Sequence, residues 1–557
     1  MLTPLKNTFK LTDIISAEKD ERTRVVVLPK RIVASDNVDN PDWLLQKHSG
    51  QSTIWAGKGA TFPPGSSILL DFGFELHGSL QLVSVMTPHN PVRLRIRFGE
   101  SVSETLGEPN NDHAMHDYSL SAANMGTTES GMTAFRFVRI DNIDSVSCSI
   151  REIRAVFLFL DCDYLGSFDS SDDLLNQIWF ASARTVQLCM QEYLWDAPKR
   201  DRLIWMGDIH PEVCAIAAAF GKLNVVERSL DLVRDETPFP RFMNGMISYT
   251  VSWGLAHWSW FRAFGDLDYL RQQHDYFKQF IDTFQNMFDK DPDGFAKWGF
   301  IDWCHPHDEK GILAGGFQAQ CVWSFRKFAE LFEALGDPVY AEKCLKFASG
   351  LAAVKGNPGS ARSVLSHRVL AGMEDPVRAN RDFFSVNPFA DITPYQGFYL
   401  LHARAMAGDF DGALNVIRNY WGGMIQLGSE TFWEHFDIDW LKNASRIDEL
   451  PQPGKHDVHA EYGQACFAKL RNSFCHGWGA GPLPWMQKYI LGVQFLSPGG
   501  KNIRIEPHLC DLKYVTGTIP TAFGLLKLEH VADDSGTHTR ILEQPRDICV
   551  SIKTQND

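Results

Sequence analysis

No stretch of this chain is apolar over the roughly 18 residues that a membrane-crossing helix requires, so no membrane partner is expected. Basic charge is also short. Lys and Arg number 54 against 68 Asp and Glu, the formal net charge is −14 and the pI about 5.7. A phosphate backbone is bound by a basic groove, so nucleic acid is not expected as a partner, and the balance fits a neutral small substrate. The eleven cysteines are odd in number, form no CxxC pair and stand singly in apolar runs, as at Cys148, Cys189, Cys321 and Cys475. That pattern fits isolated thiols in a reducing compartment and argues against a disulfide framework or a zinc site. The segment Met1–Ile15 intersperses Lys and Asp and lacks the apolar core of a signal peptide, so a cytoplasmic location is expected and the sequon at Asn443-Ala444-Ser445 is read as chance. No Walker loop, Rossmann glycine pattern or GxSxG elbow occurs, which leaves nucleotide, dinucleotide and serine-hydrolase chemistry without support.

What is present is ordinary globular material. Hydrophobic residues at 44% and charged residues at 22% exclude disorder. A single core stops growing at roughly 250–300 residues, so 557 residues predict two or three domains.

The hydrophobic period changes twice along the chain. Short alternating runs occupy roughly residues 24 to 160, among them Ser67–Phe72, Ser79–Met86, Val92–Phe98, Ala134–Ile140 and Ile153–Leu160. Gly, Pro, Asn and Asp clusters separate them, the pattern of an antiparallel sandwich. Helical spacing begins at Ser170-Ser171-Asp172-Asp173, an N-cap with an acidic first turn, and recurs to Leu491. Its runs include Pro211–Phe220, Ser252–Phe264, Tyr269–Phe288, Gly316–Leu335 and Tyr395–Met406. Gly265-Asp266, Gly336-Asp337 and Gly408-Asp409 read as helix stops followed by acidic starts. Strand patterning returns after Leu491 in a small all-β cap, too small to be comfortable alone. The predicted division is therefore a β-sandwich at 1–163, a helical domain at 164–491 and a β-sandwich at 492–557.

Loops of the helical domain carry its unusual residues. Trp195 to Asp208 packs three carboxylates besides three basic residues and two Trp into one connection shaped by Pro198 and Gly207. Such residues are often merely solvated or locally paired. Flanking Trp favours a sugar site, because aromatic rings stack on sugar faces while carboxylates hold hydroxyls. Glu430 to Asp437 again sets carboxylates beside Trp433, although Thr431 and the acidic residues also suit a plain helix start. Cys475 to Pro482 places His476 and Trp478 between small residues that permit close backbone approach. The segment Ile301 to Glu309 holds His305, His307, Asp308 and Glu309. His-Pro-His within one turn lacks the i, i+4 spacing that aims two imidazoles at one ion, so no metal is expected, and Asp302 and Trp303 read better as sugar contacts. Trp253, with His257, Trp258 and Trp260, serves core packing at least as well as ligand contact. Glycosidic cleavage needs one protonated and one ionised carboxyl group, and the two carboxylate–Trp clusters supply such a pair.

At these motifs the chain resembles the bacterial α-L-rhamnosidases of glycoside hydrolase family 78. The resemblance is carried by Asp196-Ala-Pro-Lys-Arg-Asp-Arg-Leu-Ile-Trp-Met-Gly-Asp208, by Glu430-Thr-Phe-Trp-Glu434 and by Ser473-Phe-Cys-His-Gly-Trp-Gly-Ala-Gly-Pro482. Leu496-Ser-Pro-Gly-Gly, Ile505-Glu-Pro and Gly517-Thr-Ile-Pro-Thr resemble the start of the family's C-terminal β domain, and Asp71 to Gly78 a strand-turn of its N-terminal sandwich. The resemblance implies an (α/α)6 six-hairpin barrel between antiparallel β-sandwiches, and inverting release of terminal α-L-rhamnose without a cofactor. It implies Asp201 as proton donor, where many relatives carry Glu, and Glu434 as general base with Glu430 the rival. Asp196 and Asp208 fall at hydroxyl-binding positions, and Asp302, Trp303 and His476 at further subsite positions. Trp205, Trp253, Trp433 and Trp478 complete the expected sugar contacts, and a homodimer is the implied assembly. A donor Asp201 requires burial against Trp195 or Trp205, or repulsion by Asp196 and Asp208, with Arg200 and Arg202 turned away. Another exo-acting hydrolase or a polysaccharide lyase on the same barrel, or a non-catalytic sugar-binding protein, are the alternatives.

Overall fold

The computed structural model describes residues 19–51, 58–85, 91–108, 114, 116–296, 300–303, 314–355 and 361–553. Met1–Ile15 and the candidate ligands His305, His307, Asp308 and Glu309 lie outside the described residues.

Among the described residues the alternating runs form one hydrogen-bonded sheet of nine strands. Its main path is Arg22–Val27, Cys148–Leu160, Ser67–Ser84, Thr133–Asn142, Val92–Gly99 and Asp117–Ala122, all antiparallel. The runs at 67–72 and 79–86, expected as two strands about a turn, join in the single strand Ser67–Ser84, with Met86 outside the described residues. Its register breaks between Asp71 and Leu76, and Gly73 takes φ 87°, so the Asp71–Gly78 motif is a bulge. The bulge faces the helical domain, where Arg184 Nη2 donates to Glu75 O at 2.9 Å and His77 packs edge-on against Trp195.

The helical domain begins as its sequence predicts. Asp172 caps the helix Asp173–Cys189, accepting from Leu174 N and Leu175 N. At each of the three Gly-Asp pairs, glycine sits in the left-handed region, with φ 65°, 74° and 77°. The aspartate then caps the next helix, through Tyr269 N, Tyr340 N and Gly412 N. Such a glycine stops a helix because no Cβ opposes positive φ. The run Tyr269–Phe288 is two helices, Leu267–Gln272 and His274–Lys290. Pro211 does not start its helix: the helix spans Met206–Ala219 with Pro211 inside. Asn244 Oδ1, from a distant loop, accepts from Met206 N at 2.9 Å and lets the helix begin a turn early.

The C-terminal strands form two sheets. One, of four strands, recruits Ser167–Ser170 from ahead of the helical domain as a partner of Tyr514–Thr521. The other has three strands, and its Asn502–Ile505 and Cys549–Ile552 run parallel, which corrects the all-antiparallel expectation for this region.

Candidate active site

Three connections at one end of the helical domain meet in a buried cluster of carboxyl groups. The first is the loop from Trp195 to Trp205. Asp196 is 2% exposed, and its Oδ1 accepts from Leu203 N at 2.9 Å, closing the loop on itself. Its carbonyl accepts from Gly477 N at 2.9 Å, which ties in the third connection. At the tip, Asp201 and Arg202 both take φ 54°. Two consecutive non-glycine residues in this region store strain that surrounding structure must hold. Asp208 lies in the first turn of Met206–Ala219 and accepts from Tyr249 OH at 3.2 Å. Trp303 Nε1 donates in turn to Tyr249 OH at 2.8 Å.

The second connection supplies Glu434, whose Oε2 accepts from Ser473 N at 3.0 Å and whose Oε1 is bonded by Arg200 Nη2. Glu430 points elsewhere, half exposed beside Arg136 at 4.0 Å. The third connection brings His476, whose Nε2 stands 3.9 Å from Asp196 Oδ2, 3.8 Å from Asp208 Oδ2 and 3.7 Å from Glu434 Oε1. These gaps exceed a direct hydrogen bond and are of the size that one bridging hydroxyl or water spans.

Burial decides the protonation of this cluster. It pushes Asp196 and Asp208 well above the usual carboxylate range, and each is raised further by the other site carboxylates. Glu434 is also raised by burial, but the Arg200 guanidinium and the Ser473 N–H oppose it. Glu434 is therefore the buried carboxyl best equipped to stay ionised. Burial and the nearby Arg200 push His476 well below its usual value, leaving a neutral imidazole.

Two expectations about the donor's surroundings need correction. Asp201 is not buried: its side chain is 27% exposed. Arg200 does not turn away; it is 3% exposed and its Nη1 reaches Asp201 Oδ1 at 3.3 Å while Nη2 holds Glu434. Only Arg202 faces outward, towards Met132 O. The reason is electrostatic: a buried Glu434 needs a cation, and Arg200 supplies it.

The Trp residues divide. Trp205 and Trp303 are half-buried and meet edge-to-face at 6.2 Å beside Tyr249. Trp478 stacks on Tyr395 and donates to Glu434 O at 3.1 Å, behind the carboxyl groups. Trp253 and Trp433 are 0% exposed. Trp253 donates to Leu230 O within the helical core, and Trp433 donates to Ser429 and stacks on Phe474, so neither can meet a sugar. Asp302 is buried and accepts from Thr393 Oγ1 at 3.2 Å. Sequence reading missed Tyr249 and Glu212, and it quoted Ser473 within a motif without giving it a role. Glu212 lies one turn after Asp208 on a shared helix face, both its oxygens buried without a hydrogen-bond partner among the described residues; that i, i+4 spacing was the only available signal.

Among the described residues, two clusters have ligand atoms within 4.8 Å of one another, the spacing that can hold a cation: Asp196, Asp208 and His476, and Glu100, Glu104 and His459. In the second, the cation is Lys199, whose Nζ lies 2.9 Å from Glu100 and 3.1 Å from Glu104. In the first, two carboxyl groups that burial biases towards the protonated form and an imidazole biased towards the neutral form suit hydroxyl groups.

Comparison with known proteins bears on this site. Residues 163–337 match the family model of the bacterial alpha-L-rhamnosidase 6 hairpin glycosidase domain. The GH78 family rhamnosidase of Bacillus sp. GL1 superposes with a TM-score of 0.73 at 21% identity, covering 92% of this chain and 55% of its own. The alpha-L-rhamnosidase from Dictyoglomus thermophilum gives 0.71 at 16% identity, covering 95% of this chain and 58% of its own. The rhamnosidase from Klebsiella oxytoca, solved with rhamnose bound, gives 0.63 at 21% identity, covering 84% of this chain and 96% of its own. No curated protein matches by sequence. The chain thus spans little more than half the length of the first two structures. At these identities the likeness establishes the fold: a six-hairpin glycosidase domain accompanied by sheet-rich regions.

Proposed function

We propose that this chain, with its bacterial α-L-rhamnosidase six-hairpin segment at 163–337, is an exo-acting α-L-rhamnosidase that hydrolyses with inversion. The reading takes the helical domain as an (α/α)6 barrel between two β-sandwiches, divided near residues 163 and 491. Strand Ser167–Ser170 is then lent by the barrel to the C-terminal sheet. The observation that carries the reading is the convergence of Asp196, Asp208 and Glu434 on His476 Nε2, each within 3.9 Å, with the partly exposed Asp201 on the same loop as Asp196.

In this reading protonated Asp196 and Asp208 each donate to one sugar hydroxyl and accept from another, and neutral His476 joins them. Trp205, Trp303 and Tyr249 wall the apolar side, where rhamnose carries a methyl group in place of a hydroxymethyl. Ionised Glu434 takes a proton from water as it attacks the anomeric carbon, and Asp201 gives its proton to the leaving oxygen. Arg200 stays with Glu434, its tighter partner. Its contact to Asp201, at 3.3 Å, is the looser of the two and leaves that carboxyl at the partly exposed tip of its loop. The positive-φ corner at Asp201 and Arg202 holds the shorter side chain where many relatives use Glu.

The test is the initial rate on an aryl α-L-rhamnoside and on a rhamnose-terminated disaccharide, for wild type and Asp201→Asn. Turnover in wild type and a loss of about a hundredfold or more on the disaccharide are expected. Proton NMR of the first-formed sugar should show the β anomer. An α product would overturn inversion, and no turnover on either substrate would overturn the rhamnosidase reading.

A further inference from the structure

Both oxygens of Glu434 are held by residues that are themselves held from outside the helical domain. Glu100, 2% exposed, follows the strand Val92–Gly99 of the N-terminal sheet. Its Oε1 accepts from Ser473 Oγ at 3.0 Å. Its Oε2 accepts from Phe474 N at 2.6 Å and lies 2.9 Å from Lys199 Nζ. Glu104, a few residues on, steadies the arrangement: its Oε2 accepts from Glu100 N at 2.7 Å and its Oε1 from Lys199 at 3.1 Å. Lys199 Nζ also donates to Leu470 O at 3.1 Å and Asn472 O at 2.9 Å.

Of these, Ser473 grips Glu434 directly, and Lys199 is the chain neighbour of Arg200, which holds the other oxygen. Ser473 N donates to Glu434 Oε2 at 3.0 Å, and Glu434 N to Ser473 O at 2.8 Å. Arg200, next in the chain to Lys199, bonds Glu434 Oε1 and donates to Arg471 O at 2.6 Å. Glu100 thus meets Ser473 directly and Arg200 through Lys199.

We infer that Glu100 is a positioning residue for the general base: a carboxylate of the N-terminal sheet region fixes Ser473 and the Lys199–Arg200 pair, and through them both donors on Glu434. The inference rests on the rhamnosidase reading for its kinetic consequence, though not for its geometry. The N-terminal region is then a working part of the site.

The physical consequence is specific. A buried carboxylate stays ionised only while its donors are well aimed. Besides Arg200, the groups facing Glu434 are Asp196, Asp201, Asp208, His476 and the Cys466 thiol; the anionic ones disfavour its charge. Glu100 itself is faced by Glu75, Glu104 and Lys199. Loosening Ser473 and Arg200 removes the opposition to burial, so Glu434 should gain its proton at a higher pH. A side chain that served stability alone would lower the melting temperature without moving that titration.

The experiment compares wild type, Glu100→Gln, Glu100→Ala and Ser473→Ala, the last keeping the backbone donor to Glu434 and losing only its hydroxyl tether. The acidic limb of kcat/KM against pH on an aryl α-L-rhamnoside should move upward by about half a unit or more in Glu100→Ala. A smaller move is expected in Glu100→Gln, which keeps an acceptor oxygen, and the smallest in Ser473→Ala. In Glu100→Ala, kcat should fall about tenfold with KM within about twofold. An unmoved acidic limb in the variants that fold overturns the inference; should the Glu100 variants not fold, Ser473→Ala decides alone. The same displacement is read without substrate from the Glu434 carboxylate infrared band, as the difference between proteins with and without Glu434→Gln. Absence of rhamnoside turnover would therefore sink the functional reading while the infrared titration still decides this one.

Discussion

The N-terminal sheet region packs Leu70, Leu80, Ile96 and Val138 into a core distinct from that of the helices, one that takes in only Leu188 and Cys475 of the helical domain among the described residues. It meets the site loops through buried charge, with Glu100 and Glu104 on Lys199. Among the described residues the C-terminal region has no separate core: Ile503, Val515, Leu526, Leu528 and Ile548 belong to the same apolar cluster as the helices. Apolar burial is non-directional and scales with area, so the second joint contributes stability and tolerates small shifts. Charge-assisted hydrogen bonds are directional, and their desolvation offsets much of their attraction. The first joint therefore contributes position more than stability.

Three substitutions sharpen or break this contrast. The largest effect belongs to Lys199→Met. It leaves Glu100 and Glu104 buried without their cation, which costs about 3–5 kcal/mol, and activity per folded molecule should fall as well; thermal unfolding and active-site titration read both. Leu528→Ala, at a position 0% exposed, should cost about 2–5 kcal/mol while leaving the rate per folded molecule unchanged. A changed KM in this variant would break the contrast.

The smallest effect is expected at Glu212, on the helix Met206–Ala219, which runs from the carboxyl cluster at Asp208 to the second joint, where Ala218 O accepts from Gln487, which also bonds Thr518 of the C-terminal sheet. Burial, then Asp208 and Asp196, raise the Glu212 carboxyl well above its ordinary 4.5. The folded protein thus keeps a proton that the unfolded chain releases. This group's stabilisation is full below about pH 4.5 and is lost as pH climbs towards the folded-state value. Glu212→Gln should therefore raise the melting temperature relative to wild type more at pH 8 than at pH 4. An equal change at both would show that Glu212 does not titrate as its burial implies.

The elements whose sides are set by local rules were legible in the sequence. The change of period at Asp172 and the three Gly-Asp boundaries needed only capping and positive-φ chemistry. The helix Arg362–Leu370 was not legible, because Arg362, Ser363, Ser366 and His367 are all buried and erase the amphipathic stripe. Asn244 at the start of Met206–Ala219 could not be foreseen, since it caps from 38 residues away. At the site, the motif loops named Asp196, Asp208, Glu434 and His476, which the fold brings together. The directions of Arg200 and Lys199 depend on partners hundreds of residues distant, and no local spacing encodes them. Trp content likewise marked aromatic richness without telling Trp205 and Trp303 from the core residues Trp253 and Trp433.

The pairing of Ser167–Ser170 with Tyr514–Thr521 joins residues as far apart as the 351 that separate Ser167 from Thr518. During synthesis the whole helical domain must emerge before this strand finds its neighbour. Until then its edge is an open template for other chains, and so long a loop is closed late in folding. The pairing acts as a clasp across the helical domain, and the unclasped chain is the form most exposed to aggregation.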